Sequence, residues 1–134
     1  MRKGSVVRME QINLTPAEWR IMECLWERAP QTGREVTQSM EHAVGWSRST
    51  TLTLLKRLVD KGIVRCDTEG TKNTFSPTVR REDAAQAETE TFLDRVYQGS
   101  LSMMVSAMTQ KKAISKEEID ELYELLRQME EGVK

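Results

Sequence analysis

Between Thr15 and Pro77 the chain carries three sets of helix start and stop signals followed by a hairpin signature, an order that leaves few folds open. Thr15-Pro16-Ala17-Glu18 offers a hydroxyl cap, a proline at the first helical position and a glutamate three residues after the cap, so orphan amides and the helix dipole are both served. Trp19, Met22, Leu25 and Trp26 then recur at helical spacing until Ala29-Pro30, where proline disfavours helical geometry in the residue before it. Thr32-Gly33-Arg34-Glu35 is a second capping box, opening a shorter helix with Val36, Met40 and Ala43 or Val44 on one side and Gly45 at its end. Ser47 caps a third helix, whose buried stripe is Leu54, Leu55, Leu58 and Val59 with Thr51 one turn earlier, and Lys61-Gly62 gives a basic last turn and a left-handed stop. Ile63 to Asp67 and Thr74 to Ser76 then flank the polar stretch Thr68 to Asn73, centred on Gly70, as in a hairpin with a loop longer than two residues. The expected fold class is therefore mostly α with a small β-hairpin wing: an N-terminal winged helix-turn-helix.

What the third helix leaves exposed points to nucleic acid. With Leu54, Leu55 and Leu58 inward, a step of about 100° per residue sends Ser49, Thr50, Leu52, Thr53, Lys56 and Arg57 outward. Small hydroxyl side chains let a helix sit deep in the major groove, where they meet base edges, while a Thr methyl or Leu52 can touch a thymine methyl. Lys56 and Arg57, with Arg48 and Trp46 at the start of the helix, are placed to grip phosphates, and Lys72 at the hairpin tip to reach the adjacent backbone or minor groove. Hydroxyl-rich faces also occur on winged helices that only bind proteins, so the pattern alone leaves an interaction module open.

Charge supports the first alternative. The net charge is −1, yet residues 1–81 carry 14 Lys and Arg against 9 Asp and Glu, and residues 82–134 carry 6 against 12. A basic front can hold phosphates while an acidic back does something else. Cys24 and Cys66 lack C-x-x-C spacing and His42 is the sole histidine, so no metal or other cofactor is expected. No nucleophile and base pair, paired carboxylates in an apolar setting or glycine-rich phosphate loop is found, which disfavours an enzyme. The longest apolar stretch, around Leu101 to Met108, is too short to span a bilayer, and nothing resembling a secretion signal opens the chain. A cytoplasmic protein without membrane insertion is expected.

The back half reads as a dimerisation device. Glu82 to Gln98 forms a long helical segment carrying Ala84, Ala87 or Ala85, then Phe92, Leu93, Val96 and Tyr97, and Gly99-Ser100 breaks it. Leu101, Met104, Val105 and Met108 make a short, Met-rich helix, and Ser115-Lys116-Glu117-Glu118 caps another with Ile119, Leu122, Leu125, Leu126 and Met129. So few residues cannot bury these stripes alone, and the same helices of a second copy offer a self-complementary surface, hence a homodimer. Residues 1–78 are expected to form the winged-helix domain and residues 79–134 the helical dimerisation domain.

The run Trp46-Ser47-Arg48-Ser49-Thr50-Thr51-Leu52-Thr53-Leu54-Leu55-Lys56-Arg57-Leu58-Val59-Asp60-Lys61-Gly62 resembles the recognition helix of the penicillinase repressor (BlaI/MecI/CopY) family. Leu14 to Trp19 with Met22 and Leu25-Trp26 resembles that family's first helix, Phe75-Ser76-Pro77 the end of its wing, and Phe92 to Gly99 and Ser115 to Leu126 its C-terminal helices. The resemblance implies a transcriptional repressor that binds a palindromic double-stranded DNA operator as a homodimer, with Ser49, Thr50, Leu52 and Thr53 at the base-reading positions. Leu52 departs from the arginine or other polar residue of some members. In members that answer to β-lactams, a membrane-bound metallopeptidase sensor triggers cleavage of an Asn-Phe bond; the matching candidate cleavage site here is Ala107-Met108. The copper-responsive branch carries a cysteine-rich C-terminal site, and this tail has no cysteine. The expected inducing signal acts on the C-terminal helices. A winged-helix regulator answering to a small ligand among those helices remains the main alternative.

Overall fold

The computed structural model describes residues 12–111 and 114–132. In chain order the elements are α1 (Pro16–Glu27), β1 (Gln31–Thr32), α2 (Gly33–Val44), α3 (Arg48–Asp60), β2 (Val64–Asp67), β3 (Thr74–Pro77), α4 (Arg81–Tyr97), α5 (Leu101–Lys111) and α6 (Lys116–Gly132). The chain is mostly helical with a small antiparallel sheet, and it divides into two compact units, residues 1–91 and 92–134.

In the first unit the caps form as the residue types dictate. The Thr15 hydroxyl accepts from the Glu18 amide at 3.1 Å while Glu18 Oε1 accepts from the Thr15 amide at 2.9 Å. Thr32 and Glu35 repeat this exchange at 3.1 and 2.8 Å. α2 ends at Gly45, whose φ of 75° lies in the left-handed region that favours glycine. The Ser47 hydroxyl accepts from the Thr50 amide at 3.2 Å and starts α3.

β2 and β3 make the expected hairpin, pairing Arg65 with Ser76 and Cys66 with Phe75. The sheet has a third strand that the residue pattern did not announce: β1 pairs with the other side of β3, Gln31 opposite Phe75 and Thr32 opposite Thr74, giving the order β1-β3-β2. Gln31 is 2% exposed, which is tolerable because its amide nitrogen donates to the carbonyls of Cys24 at 2.9 Å and Arg28 at 2.6 Å. One side chain thus gives the Cys24 carbonyl a second donor beside the Arg28 amide and a partner to the Arg28 carbonyl just past the end of α1.

Ile21, Met22, Leu25, Val36, Leu55, Leu58 and Ile63 fill the core between α1, α2, α3 and the sheet. Ala84 and Ala87 are buried in the same core. The division by contacts therefore falls within α4, between Thr91 and Phe92, rather than at the expected join between residues 78 and 79. The start of α4 is also fastened to α1. Arg81 donates two hydrogen bonds to the Glu23 carboxylate at 3.0 and 2.8 Å and lies 5.8 Å over the Trp19 ring, and Trp26 Nε1 donates to the Val79 carbonyl at 2.9 Å.

The second unit has a different character. Ser115 caps α6 by accepting from the Glu118 amide at 3.1 Å, and Phe92 meets Tyr97 edge to face. Among its described residues none is buried. Among the described residues no helix is long and apolar enough to cross a membrane.

Candidate nucleic-acid interface

α3 turns Thr51, Leu54, Leu55 and Leu58 into the core and leaves Ser49, Thr50, Thr53, Lys56 and Arg57 exposed. Trp46, Ser49, Thr50, Thr53 and Arg57 line one shallow depression of about 360 Å³, closed on one side by Ala17 from the first turn of α1. Five of the nine residues expected to touch nucleic acid are thus gathered at one place. The hydroxyls at the start of the helix are linked: Ser47 Oγ donates to Thr50 Oγ1 at 3.1 Å and lies 3.3 Å from Ser49 Oγ.

Leu52 does not belong to the exposed row. It is half-buried and packs against the core, with Cδ2 only 3.5 Å from where a side chain on Gly33 would begin and Phe75 beside it. The expectation that it points outward fails because the start of α2 and the wing close over that flank of α3. Trp46 is also half-buried against the core while it lines the depression.

The cations differ in how freely they can be given to phosphate. Lys56 Nζ lies 3.4 Å from Asp60 Oδ2, with both side chains mostly in solvent, a pair worth at most about 1 kcal/mol and readily exchanged. Arg48 and Arg57 are exposed and make no ion pair among the described residues. Lys72 is exposed in the loop between β2 and β3. Its charge is felt at the start of α2, where the Thr32 amide first, and then Arg28 and Lys72, hold the Glu35 carboxyl below its ordinary value against a smaller opposing effect of burial.

A buried ion pair that residue spacing did not disclose fixes how α3 lies on α1. Lys61 Nζ at the end of α3 is 2.6 Å from Glu18 Oε1 and 2.8 Å from the Asn13 carbonyl, and the Glu18 side chain is fully buried. Burial pushes the Glu18 carboxyl up, but the Lys61 and Thr15 hydrogen bonds, with the charges of Lys61 and Arg57, outweigh it and hold the group below its ordinary value. The local signal for Glu18 was its capping role, which gave no hint of a partner 43 residues away.

Among the described residues no group of three or more His, Cys, Asp or Glu side chains could hold a metal ion. Cys24 and Cys66 are half-buried free thiols.

The residues expected at a subunit interface lie in the second unit. Phe92, Val96, Leu101, Val105, Met108, Ile119, Leu122, Leu125 and Leu126 are exposed, whereas Leu93, Tyr97 and Met104 are half-buried. Met103 and Tyr123 are exposed as well and were not among the expected residues. Ala107 and Met108 are both exposed within α5.

Comparison with known proteins meets this geometry at several points. A sequence model described as penicillinase repressor matches residues 14–128. The chain is similar to the penicillinase repressor of Bacillus licheniformis, 30% identical over 115 residues that make up 86% of this chain and 90% of the relative. It is 25% identical over 113 residues to the methicillin resistance regulatory protein MecI of Staphylococcus aureus, covering 84% of this chain and 92% of that one. Among solved structures, the DNA binding domain of the repressor BlaI matches with a TM-score of 0.50 and 26% identity, covering 58% of this chain and 93% of that one. The hsRosR-S4 complex, with a TM-score of 0.54 and 16% identity over 96% of this chain and 100% of that one, is similar in fold alone. A family match spanning both units, on a winged helix whose third helix offers hydroxyls and cations to solvent, identifies the chain as a member of the penicillinase repressor family.

Proposed function

We propose that this chain is a DNA-binding transcriptional repressor that holds an approximately palindromic operator as a homodimer and carries no enzymatic activity. The outer face of α3 carries the reading: Ser49, Thr50, Thr53, Lys56 and Arg57 stand exposed on a helix whose opposite side is packed into the core. Hydroxyls this close to the backbone approach base edges without steric cost, and the two cations meet phosphates on the rims of the groove. Arg48 joins them at the first turn and Lys72 from the wing. Leu52 acts indirectly, by wedging α3 against Gly33 and Phe75.

The second unit supplies the dimer. Among the described residues, all the exposed large hydrophobic side chains, from Phe92 to Met129, belong to it. Burying such a side chain gains roughly 1.5–3 kcal/mol, and a twofold partner presents the same surface. Two modules joined this way bind a two-part site far more tightly than one does. Release of the operator follows when a signal acts on these helices. If a membrane-bound metallopeptidase system delivers it, Ala107-Met108 is the candidate bond; being inside α5, it must unwind locally before a protease can seat it. A cytoplasmic site of action goes with operator binding.

A second reading, release by a small apolar ligand, is favoured by one feature: a hollow of about 370 Å³ lined by Val105, Thr109, Ile114, Ile119, Leu122, Tyr123 and Leu126.

Selecting the genomic fragments that the purified chain retains and sequencing them tests the main reading. One enriched sequence with two similar half-sites about 10 base pairs, or a multiple, apart is expected. Retention of no fragment at low salt would overturn it. Arg57→Ala should weaken binding to all sequences alike and flatten the salt dependence by about 0.9 units of slope.

A further inference from the structure

We propose that Ser47, the cap of α3, is a positioning residue for base recognition: it fixes the direction of the Thr50 hydroxyl, so that Thr50 offers the groove a hydrogen-bond donor and Ser49 an acceptor. The inference rests on the DNA-binding reading above and deepens it, because a hydroxyl can donate or accept and its exposure alone does not say which. Ser47 Oγ accepts from the Thr50 amide at 3.2 Å and donates to Thr50 Oγ1 at 3.1 Å. A serine hydroxyl has a single proton to give. With that proton on Thr50, Ser49 is the donor across the 3.3 Å that separates Ser49 Oγ from Ser47 Oγ. Ser49 is then left with lone pairs for a base, whereas Thr50, already an acceptor, keeps its own proton free.

The place of Thr50 in the helix preserves that proton. Thr37 and Thr89 give theirs to carbonyls of their own helices, at Arg34 and Ala85, 2.9 and 2.8 Å away. Thr50 stands in the first turn of α3 and makes no such bond among the described residues. All three linked hydroxyls are exposed, so in the free chain water completes their bonding. Inside a groove emptied of water each proton needs an acceptor, and the relay from Ser47 decides which base edge satisfies it. Thr50 suits guanine O6 or N7, adenine N7 or thymine O4, and Ser49 suits the amino groups of cytosine or adenine.

The test takes the sequence that the full chain selects from randomised duplexes and varies one base pair at a time. T50V keeps the shape of the side chain without its hydroxyl, and the position whose preference it lowers is the one Thr50 reads. Of G·C and C·G at that position, the pair that turns guanine toward Thr50 should be bound roughly fivefold more tightly, as one net hydrogen bond allows. S47T keeps both cap and donor and should keep that ratio. S47D also caps well, but its carboxylate only accepts, so the Thr50 proton turns to it; the ratio should fall to about one or reverse with the melting temperature unchanged. The added charge weakens binding to both duplexes alike and cancels in the ratio. In the T50V background S47D should alter the ratio no further. A ratio that S47D leaves intact, that S47T loses as well, or that S47D shifts equally without the Thr50 hydroxyl would overturn the proposal, as would a T50V variant with no preference changed. If the wild-type chain selects no duplex at all, it is the repressor reading that falls.

Discussion

Lys61 Nζ sits 2.6 Å from Glu18 Oε1, tying the end of α3 to the first turn of α1. The two partners are not equivalent. The Glu18 side chain is fully buried, whereas that of Lys61 is 32% exposed and also reaches the Asn13 carbonyl. Lys61→Met leaves a buried carboxylate uncompensated and should cost about 3 kcal/mol or more. Glu18→Gln keeps an acceptor for the Thr15 amide and leaves an ammonium that can turn to water, so about 1 kcal/mol is expected. Urea unfolding of both variants checks the order; a larger loss in Glu18→Gln would mean that Lys61 does not compensate the buried charge.

Acid should unfold the winged helix through this pair and a second one. Glu18 is held below its ordinary value of 4.5 by Lys61 and Thr15 in spite of burial, and Glu23 chiefly by its hydrogen bonds with Arg81, burial again opposing. Both folded values are depressed, so the stabilisation is full above about pH 4.5 and is lost as the pH falls through the folded values. Melting temperature should hold from neutral pH down to about 5 and then decline. In Glu18→Gln the decline should be shallower; an identical acid limb in that variant would remove Glu18 from the account.

Leu52 and Thr53 are adjacent in sequence and should behave oppositely. Leu52→Ala loses packing against the core beside Gly33 and Phe75, so it should cost about 1–2 kcal/mol of stability, less than a fully buried leucine. Its base preference at every operator position should stay as in the wild type. Thr53→Glu places a carboxylate on the exposed row proposed to meet the duplex, and should abolish operator binding with the melting temperature unchanged. Binding measured across a set of single-base operator variants separates the two. A base preference that changes with Leu52→Ala would return that residue to the reading face.

What could be read beforehand was what is local. A capping box involves residues three apart, so Thr15 with Glu18 and Thr32 with Glu35 announced α1 and α2 before any tertiary contact was known. β1 escaped because two residues have no periodicity, and Gln31 is a polar side chain buried where its amide can donate to the carbonyls of Cys24 and Arg28 at the end of α1. Leu52 was misread because it lies on the flank between the buried and exposed sides of α3, where a neighbour rather than the helical period decides. α4 looked like a new region because it follows Pro77, yet Ala84 and Ala87 are small enough to let its first turns settle onto the first unit's core.

The second unit makes the sharpest claim on a partner. Leu122 is 39% exposed and Leu126 54% exposed, on a helix with no buried residue. Each leaves water only when another apolar surface covers it. L122E/L126E should therefore convert the chain to a monomer in sedimentation at micromolar concentration while leaving α6 helical, because both substitutions keep high helix propensity. The winged helix should retain its melting temperature, since its core draws on residues before Thr91. Operator affinity should fall by on the order of a hundredfold, as expected when two linked half-site contacts become independent. A double variant that still sediments as a dimer would place the self-association surface elsewhere, and one that is monomeric but binds the full operator as before would show that dimerisation contributes nothing to recognition.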